Sequence, residues 1–311
     1  GDFDLAVKWH AFKRGDPWAG YFRVSGEHRH AYTDLFPAAM GEQTGSVWLT
    51  SRGWTDYDQF GVTELYWHQG TFDSPFEYRI GRVKNTSIWN GGKFIGGSTR
   101  MNGGQITGTP AMVNLASGWS ATAVYHPDGD TAHIMAGVFQ ANGDNQTLQP
   151  LQSDELIYGL QVGVRPEING YKGRYHVFAW HVDESERGSE ANGFAVNAEH
   201  TFDNWTPFFR YSWGDQESSD PNPPAIKQSA NIGIGYEGVF GQNTDWAAIV
   251  ASWAEPTDGT LRQQSGLELD YSFRLFPNVI LTPHAQLIRN PSNNPSKDQL
   301  TVVGLRARLE F

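Results

Sequence analysis

Cysteine is absent from the 311 residues, so neither a disulfide framework nor a thiolate metal site can be built. Long apolar runs are absent as well. The best short run, residues 247–251, falls far below the roughly twenty residues of a membrane helix, so any membrane crossing has to use strands. Basic residues are outnumbered, 23 Lys and Arg against 34 Asp and Glu, and the formal charge of −11 excludes the basic surface that nucleic acid requires. No Gly-x-Ser-x-Gly elbow marks a hydrolase nucleophile. The acidic pairs Asp154-Glu155 and Asp183-Glu184 lack the oxygen-ligand spacing of an EF-hand. No catalytic group, metal or cofactor is expected.

Aromatic residues, in contrast, reach 14% and glycines number 35, the mixture of a sheet protein with many turns and aromatic belts. Apolar side chains recur with period two. Val303, Leu305, Ala307, Leu309 and Phe311 alternate with Gly304, Arg306, Arg308 and Glu310, and Leu267, Leu269, Tyr271, Phe273 and Leu275 with Glu268, Asp270, Ser272 and Arg274. About sixteen such segments are countable from 3–13 to 299–311, among them 46–54, an even number in the range that closed outer-membrane sheets use.

Connection lengths supply a second criterion, because these barrels join strands by short turns at one rim and longer loops at the other. Short links at 73–74, 127–130, 166–170, 203–204 and 276–277 interleave with long ones near 84–113, 142–154, 184–191, 215–227 and 290–298. The first two connections break the alternation: 14–18 is short where a loop is due, and 31–45 is long where a turn is due, with 34–40 readable as a short helical plug at the turn rim. Trp205 and Trp213 share one face, about 26 Å apart along a strand, and are expected to mark the two aromatic girdles. The reading is an all-β chain, a transmembrane antiparallel β-barrel of about 16 strands with an inward-folded constriction loop, in a single domain over 1–311. The start at Gly1 without Met fits export to a bacterial outer membrane.

Several segments resemble the carbohydrate-selective porin family typified by OprB. They are Leu65-Tyr66-Trp67-His68-Gln69 with Phe72-Asp73 and Tyr78-Arg79-Ile80-Gly81-Arg82-Val83, then Pro110-Ala111-Met112-Val113-Asn114-Leu115, and Gln286-Leu287-Ile288-Arg289-Asn290-Pro291 with Gly304-Leu305-Arg306 before Phe311. The resemblance implies a sixteen-stranded barrel, passive diffusion of glucose and similar sugars, and an eyelet narrowed by inward-folded loops carrying charged and aromatic side chains. This chain is shorter than the family leads one to expect, and its N-terminal part matches poorly.

If apolar positions face lipid, the alternate positions face the channel. The candidate channel-lining residues are Arg52, Glu64, Glu77, Arg79, Arg82, Trp89, Asn90, Lys93, Arg100, Arg174 and Arg210. Residues 84–110 are too long and Gly-rich for a turn and make the best eyelet loop. Trp48, Phe178 and Trp180 are candidate surfaces for sugar rings. Mixed cations and anions suit small neutral hydroxylated solutes, sugars first. A channel for small hydroxylated or aromatic carboxylates and a barrel-embedded hydrolase are the alternatives. The expected partners are such solutes and outer-membrane lipid; homotrimer and monomer both stay open.

Overall fold

The computed structural model describes residues 1–311 except 12–14, 36, 38, 52–59, 85–87, 97–98, 113–115, 219–223 and 243. Fifteen long strands follow one another: β1 Asp2–His10, β2 Gly20–Arg29, β3 Gly61–Gln69, β4 Phe76–Lys84, β5 Ser117–Tyr125, β6 Ala132–Gln140, β7 Leu156–Val164, β8 Tyr171–Val182, β9 Ala191–His200, β10 Trp205–Gly214, β11 Ile226–Glu237, β12 Trp246–Pro256, β13 Gln264–Phe276, β14 Val279–Arg289 and β15 Gln299–Leu309. Each pairs antiparallel with the next, and the two-residue strand Glu167–Ile168 on β8 brings the single sheet to sixteen. A short helix, α1, spans Ala39–Gln43. No helix among the described residues is long and apolar enough to cross a membrane.

Alternation fixes which side of the sheet meets lipid. On β13, Leu267 and Leu269 are 43% and 50% exposed, whereas Glu268 and Asp270 are 0% exposed. Tyr158, Leu160, Val162 and Val164 of β7 are exposed in the same way, while Ile157 before them and Gln161 among them are buried. A soluble sheet buries its apolar face. Here the apolar face points outward and the charged face inward, the arrangement of a barrel whose solvent is hydrocarbon. Trp205 on this outer face is exposed and stands 4.5 Å from the Tyr236 ring, as a girdle residue should.

The turns follow local chemistry. Asn169 and Gly170 both adopt positive φ, 55° and 82°, which is the two-residue type I′ hairpin that matches strand twist. Gly81, at φ 134°, sits where a Cβ would strike the Leu65 carbonyl. Tyr78, Ile80 and Arg82 alternate on the outer face with no shift of register, and Arg82, opposite Leu65 and Trp119, is nonetheless fully buried because the loop 141–155 covers it and supplies the Asp144 carbonyl as acceptor, so the lumen position expected for Arg82 is not observed.

The expected strand at 46–54 is not formed. Residues 46–51 are bends inside the connection between β2 and β3, and 52–54 lie outside the described residues. The helix expected near 34–40 begins at Ala39 and belongs to the same connection, at the loop rim rather than the turn rim. With no strand among the described residues of 30–60, the short link 11–19 falls among the turns, and the broken alternation at the start of the chain disappears.

Candidate functional site

Two loops fold into the barrel. The first, residues 85–116 between β4 and β5, carries two aromatic anchors. Trp89 stacks on Phe178 at 4.9 Å and packs on Phe139 at 5.8 Å, in a cluster with Met135, Ile157 and Trp180. Phe94 packs on Phe208 and Trp246 with Met101, Ile106 and Val250. The wall makes room with glycine: a Cβ at Gly235 would overlap the Phe94 ring, and one at Gly159 would press on Trp89 and Phe178.

Hydrogen bonds fix the loop between these anchors. Arg210, buried on β10, donates to the carbonyl oxygens of Ile106, Asn90 (3.0 Å) and Gly108 (2.5 Å). Glu268 accepts from the N–H groups of Asn102 (3.1 Å) and Gly103 (2.8 Å) and from the Gln105 amide. Arg306 donates to the Arg100 carbonyl at 2.6 Å.

The second inward loop is the stretch 44–51. Trp48 and Val47 pack on Ile226 and Ala254. Gln264 accepts from the N–H groups of Val47 and Ser292, each at 3.1 Å, and donates to the Ser46 hydroxyl at 2.8 Å. Gln286 donates to the Thr50 carbonyl at 2.7 Å, and the Gly104 N–H to the Leu49 carbonyl at 2.7 Å, which joins the two loops. This contribution was not expected from the sequence, where 46–54 reads as a strand; the one signal against that reading was the broken alternation of connection lengths on either side of it.

Both loops therefore cover the inner face of β6–β14, and the strands β1–β4 keep a polar inner wall. There Arg23 pairs with Glu64 at 2.6 Å, and the Ser25 hydroxyl donates to Glu64 at 2.8 Å. Glu77 lies between His68 (3.3 Å) and His126 (3.1 Å). The Arg79 guanidinium stands 5.0 Å from the Tyr66 ring centroid. From the loop side, Lys93 and Arg100 reach Glu237 at 2.8 and 3.5 Å, the Lys93 N–H donates to Glu199 at 2.9 Å, and Arg174 pairs with Glu199 at 3.4 Å.

The eleven sequence candidates divide accordingly. Glu64, Glu77 and Arg79 belong to the polar wall; Lys93, Arg100 and Arg174 gather around Glu237 and Glu199. Arg82, Trp89, Asn90 and Arg210 are buried and hold the architecture. Arg82 donates to the Val62 carbonyl at 2.7 Å and to that of Asp144, and Asn90 donates through its side-chain amide to Thr109 and accepts at its side-chain oxygen from His176 at 3.0 Å. Arg52 lies outside the described residues. Trp48, Phe178 and Trp180, expected as sugar-contacting surfaces, are buried beneath the loops and present no open face.

Toward the loop rim, the carboxylates of Asp2, Asp4 and Glu27 come within 4.8 Å of one another. Arg29 already stands 3.7 Å from Asp2, and Lys84 3.1 Å from Glu27, so the cluster is matched by protein cations.

An inside-out antiparallel sheet with loops folded into its interior defines an outer-membrane barrel of the porin class. Residues 182–311 match the model of the carbohydrate-selective porin, OprB family, so the resemblance read in the sequence holds by sequence over that part. No curated protein matches. Over the whole length the fold is similar to OprB of Pseudomonas putida, with a TM-score of 0.80 and 14% identity, covering 100% of this chain and 87% of that one. The anion-selective porin of Comamonas acidovorans follows at TM-score 0.57 and 12% identity, covering 99% and 85%. The outer-membrane channel DcaP of Acinetobacter baumannii shows TM-score 0.53 and 11% identity, covering 99% and 84%.

Proposed function

We propose that this porin is a passive channel for small hydroxylated solutes, glucose-like sugars foremost, with its constriction formed between the β1–β4 wall and the loop 85–116. The observation that carries the reading is the one-sided filling of the lumen: one inner wall is sealed by loop anchors, and the opposite wall keeps side chains that can exchange hydrogen bonds with hydroxyl groups. Glu64, Glu77, Arg79, Lys93, Arg100 and Arg174 line the path, while Trp89, Asn90 and Arg210 set its width by holding the backbone of the inward loop. Alternating cations and anions orient a dipolar solute without retaining it, as passage requires.

The test is liposome swelling with sugars of graded size. Swelling that is fast for monosaccharides and falls steeply for larger oligosaccharides is expected. Equal rates for all sizes, or none for any, contradicts the reading.

A further inference from the structure

The formal charge of the chain is −11, and a pore that simply reflected this balance would favour cations. The turn-side part of the lumen beside the β1–β4 wall has the opposite sign. On its wall Lys8 and Arg79 have no carboxylate partner among the described residues, and each is held against a tyrosine ring: the Lys8 ammonium 3.9 Å from the Tyr21 centroid, and the Arg79 guanidinium 5.0 Å from that of Tyr66. Tyr21 in turn stacks on His68 at 4.8 Å. The Arg79 Nε has no hydrogen-bond acceptor.

Beside them, Arg23 has a carboxylate partner, Glu64, and keeps 32% of its side chain exposed. The loop repeats the imbalance, with Lys93 and Arg100 sharing Glu237. Five cations thus meet two carboxylates. Glu77, which hydrogen-bonds His68 and His126, adds a third carboxylate and still leaves the cations in excess, and Arg174 is matched by Glu199. The acidic cluster of Asp2, Asp4 and Glu27 starts four residues before Lys8 on β1, about 13 Å along the strand, and has Arg29 and Lys84 as its own partners.

We propose that Lys8, Arg23 and Arg79, with Lys93 and Arg100 on the loop, form an anion-binding belt that makes the channel prefer sugars bearing a carboxylate over neutral ones. This rests on the solute-channel reading above and adds a charge preference to it. The chemistry is complementary: tyrosine hydroxyls and Glu64 exchange hydrogen bonds with the polyol, while the unpaired guanidinium takes a carboxylate in its two-pronged geometry. Cations held on aromatic faces keep their positions without an internal counter-ion, so their charge stays available to a solute.

The experiment uses the full chain in planar bilayers under a potassium chloride gradient, followed by swelling of liposomes in gluconate and in glucose. A reversal potential on the chloride side is expected, together with a shift toward potassium in Lys8→Gln, Arg79→Gln and, further, in the double variant, and a lower gluconate-to-glucose rate ratio. Potassium preference in the unaltered chain, or chloride preference that the double variant leaves in place, overturns the belt. The reversal potential of the unaltered chain decides even if a variant fails to assemble. If glucose itself does not pass, the sugar reading falls separately, and the belt is still judged by the ion preference.

Discussion

Arg210 reaches three carbonyl oxygens of a loop more than a hundred positions upstream, at Asn90, Ile106 and Gly108. Hydrogen bonds to a charged donor contribute about 1.5–3 kcal/mol each, so this single side chain is a principal restraint on the constriction. A lysine would not replace it, because one ammonium cannot present the planar fork that spans these acceptors. Arg210→Ala is expected to free the middle of the loop and to give a larger, noisier single-channel conductance, with Arg210→Lys intermediate. Unchanged conductance in Arg210→Ala would show that the aromatic anchors Trp89 and Phe94 suffice alone. Alternation in the sequence assigns both Arg79 and Arg210 to the lumen, yet one stands against the Tyr66 ring and the other is buried under backbone. Nothing local separates them, since the carbonyls that occupy Arg210 come from a distant loop.

Among the elements, the strands were the most legible because their period is local: each outward apolar residue reports its own environment. The inward loops were legible only in part. The Gly-rich length of 84–110 announces a constriction loop, but its seat is written in the opposing strands, where Gly159, Gly233 and Gly235 clear space for rings. The stretch 46–54 misleads for a related reason. Val47, Trp48 and Leu49 are apolar enough for a strand, and Val47 and Trp48 instead pack inside the barrel against Ile226 and Ala254.

The loop 141–155 offers a pH test of how local caps hold a rim element. Burial alone would raise the Asp144 carboxyl, but the N–H groups of Gln146 (2.9 Å) and Thr147 (3.2 Å) and the Thr147 hydroxyl outweigh it and hold the group below its ordinary range. A depressed carboxyl contributes stability that is present above its unfolded value, about 3.9, and is lost as pH falls through the folded one. Protease cleavage within 141–155 is therefore expected to stay slow from neutral pH down to about pH 4 and to rise below it. In Asp144→Ala it should be fast throughout, and a protected loop in that variant would discount the cap.

For the whole molecule, the decisive property is the inversion of the usual burial pattern, with leucines outside and carboxylates inside. Leu269→Arg places a charge on the lipid face and is expected to destabilise the folded barrel by roughly 2–4 kcal/mol if it lies near the bilayer midplane. Denaturant titration in lipid vesicles measures this, and a neutral effect would mean that Leu269 is covered by protein rather than lipid. The fold similarity over the full length and the family match over residues 182–311 describe the same object from two sides, a porin barrel.

Single-channel recording of the purified chain in a planar bilayer tests that account most directly. Stepwise, ohmic openings in plain salt solution, with a conductance that rises when Arg210 is replaced by Ala, are predicted. A chain that inserts into the bilayer and conducts nothing would contradict it.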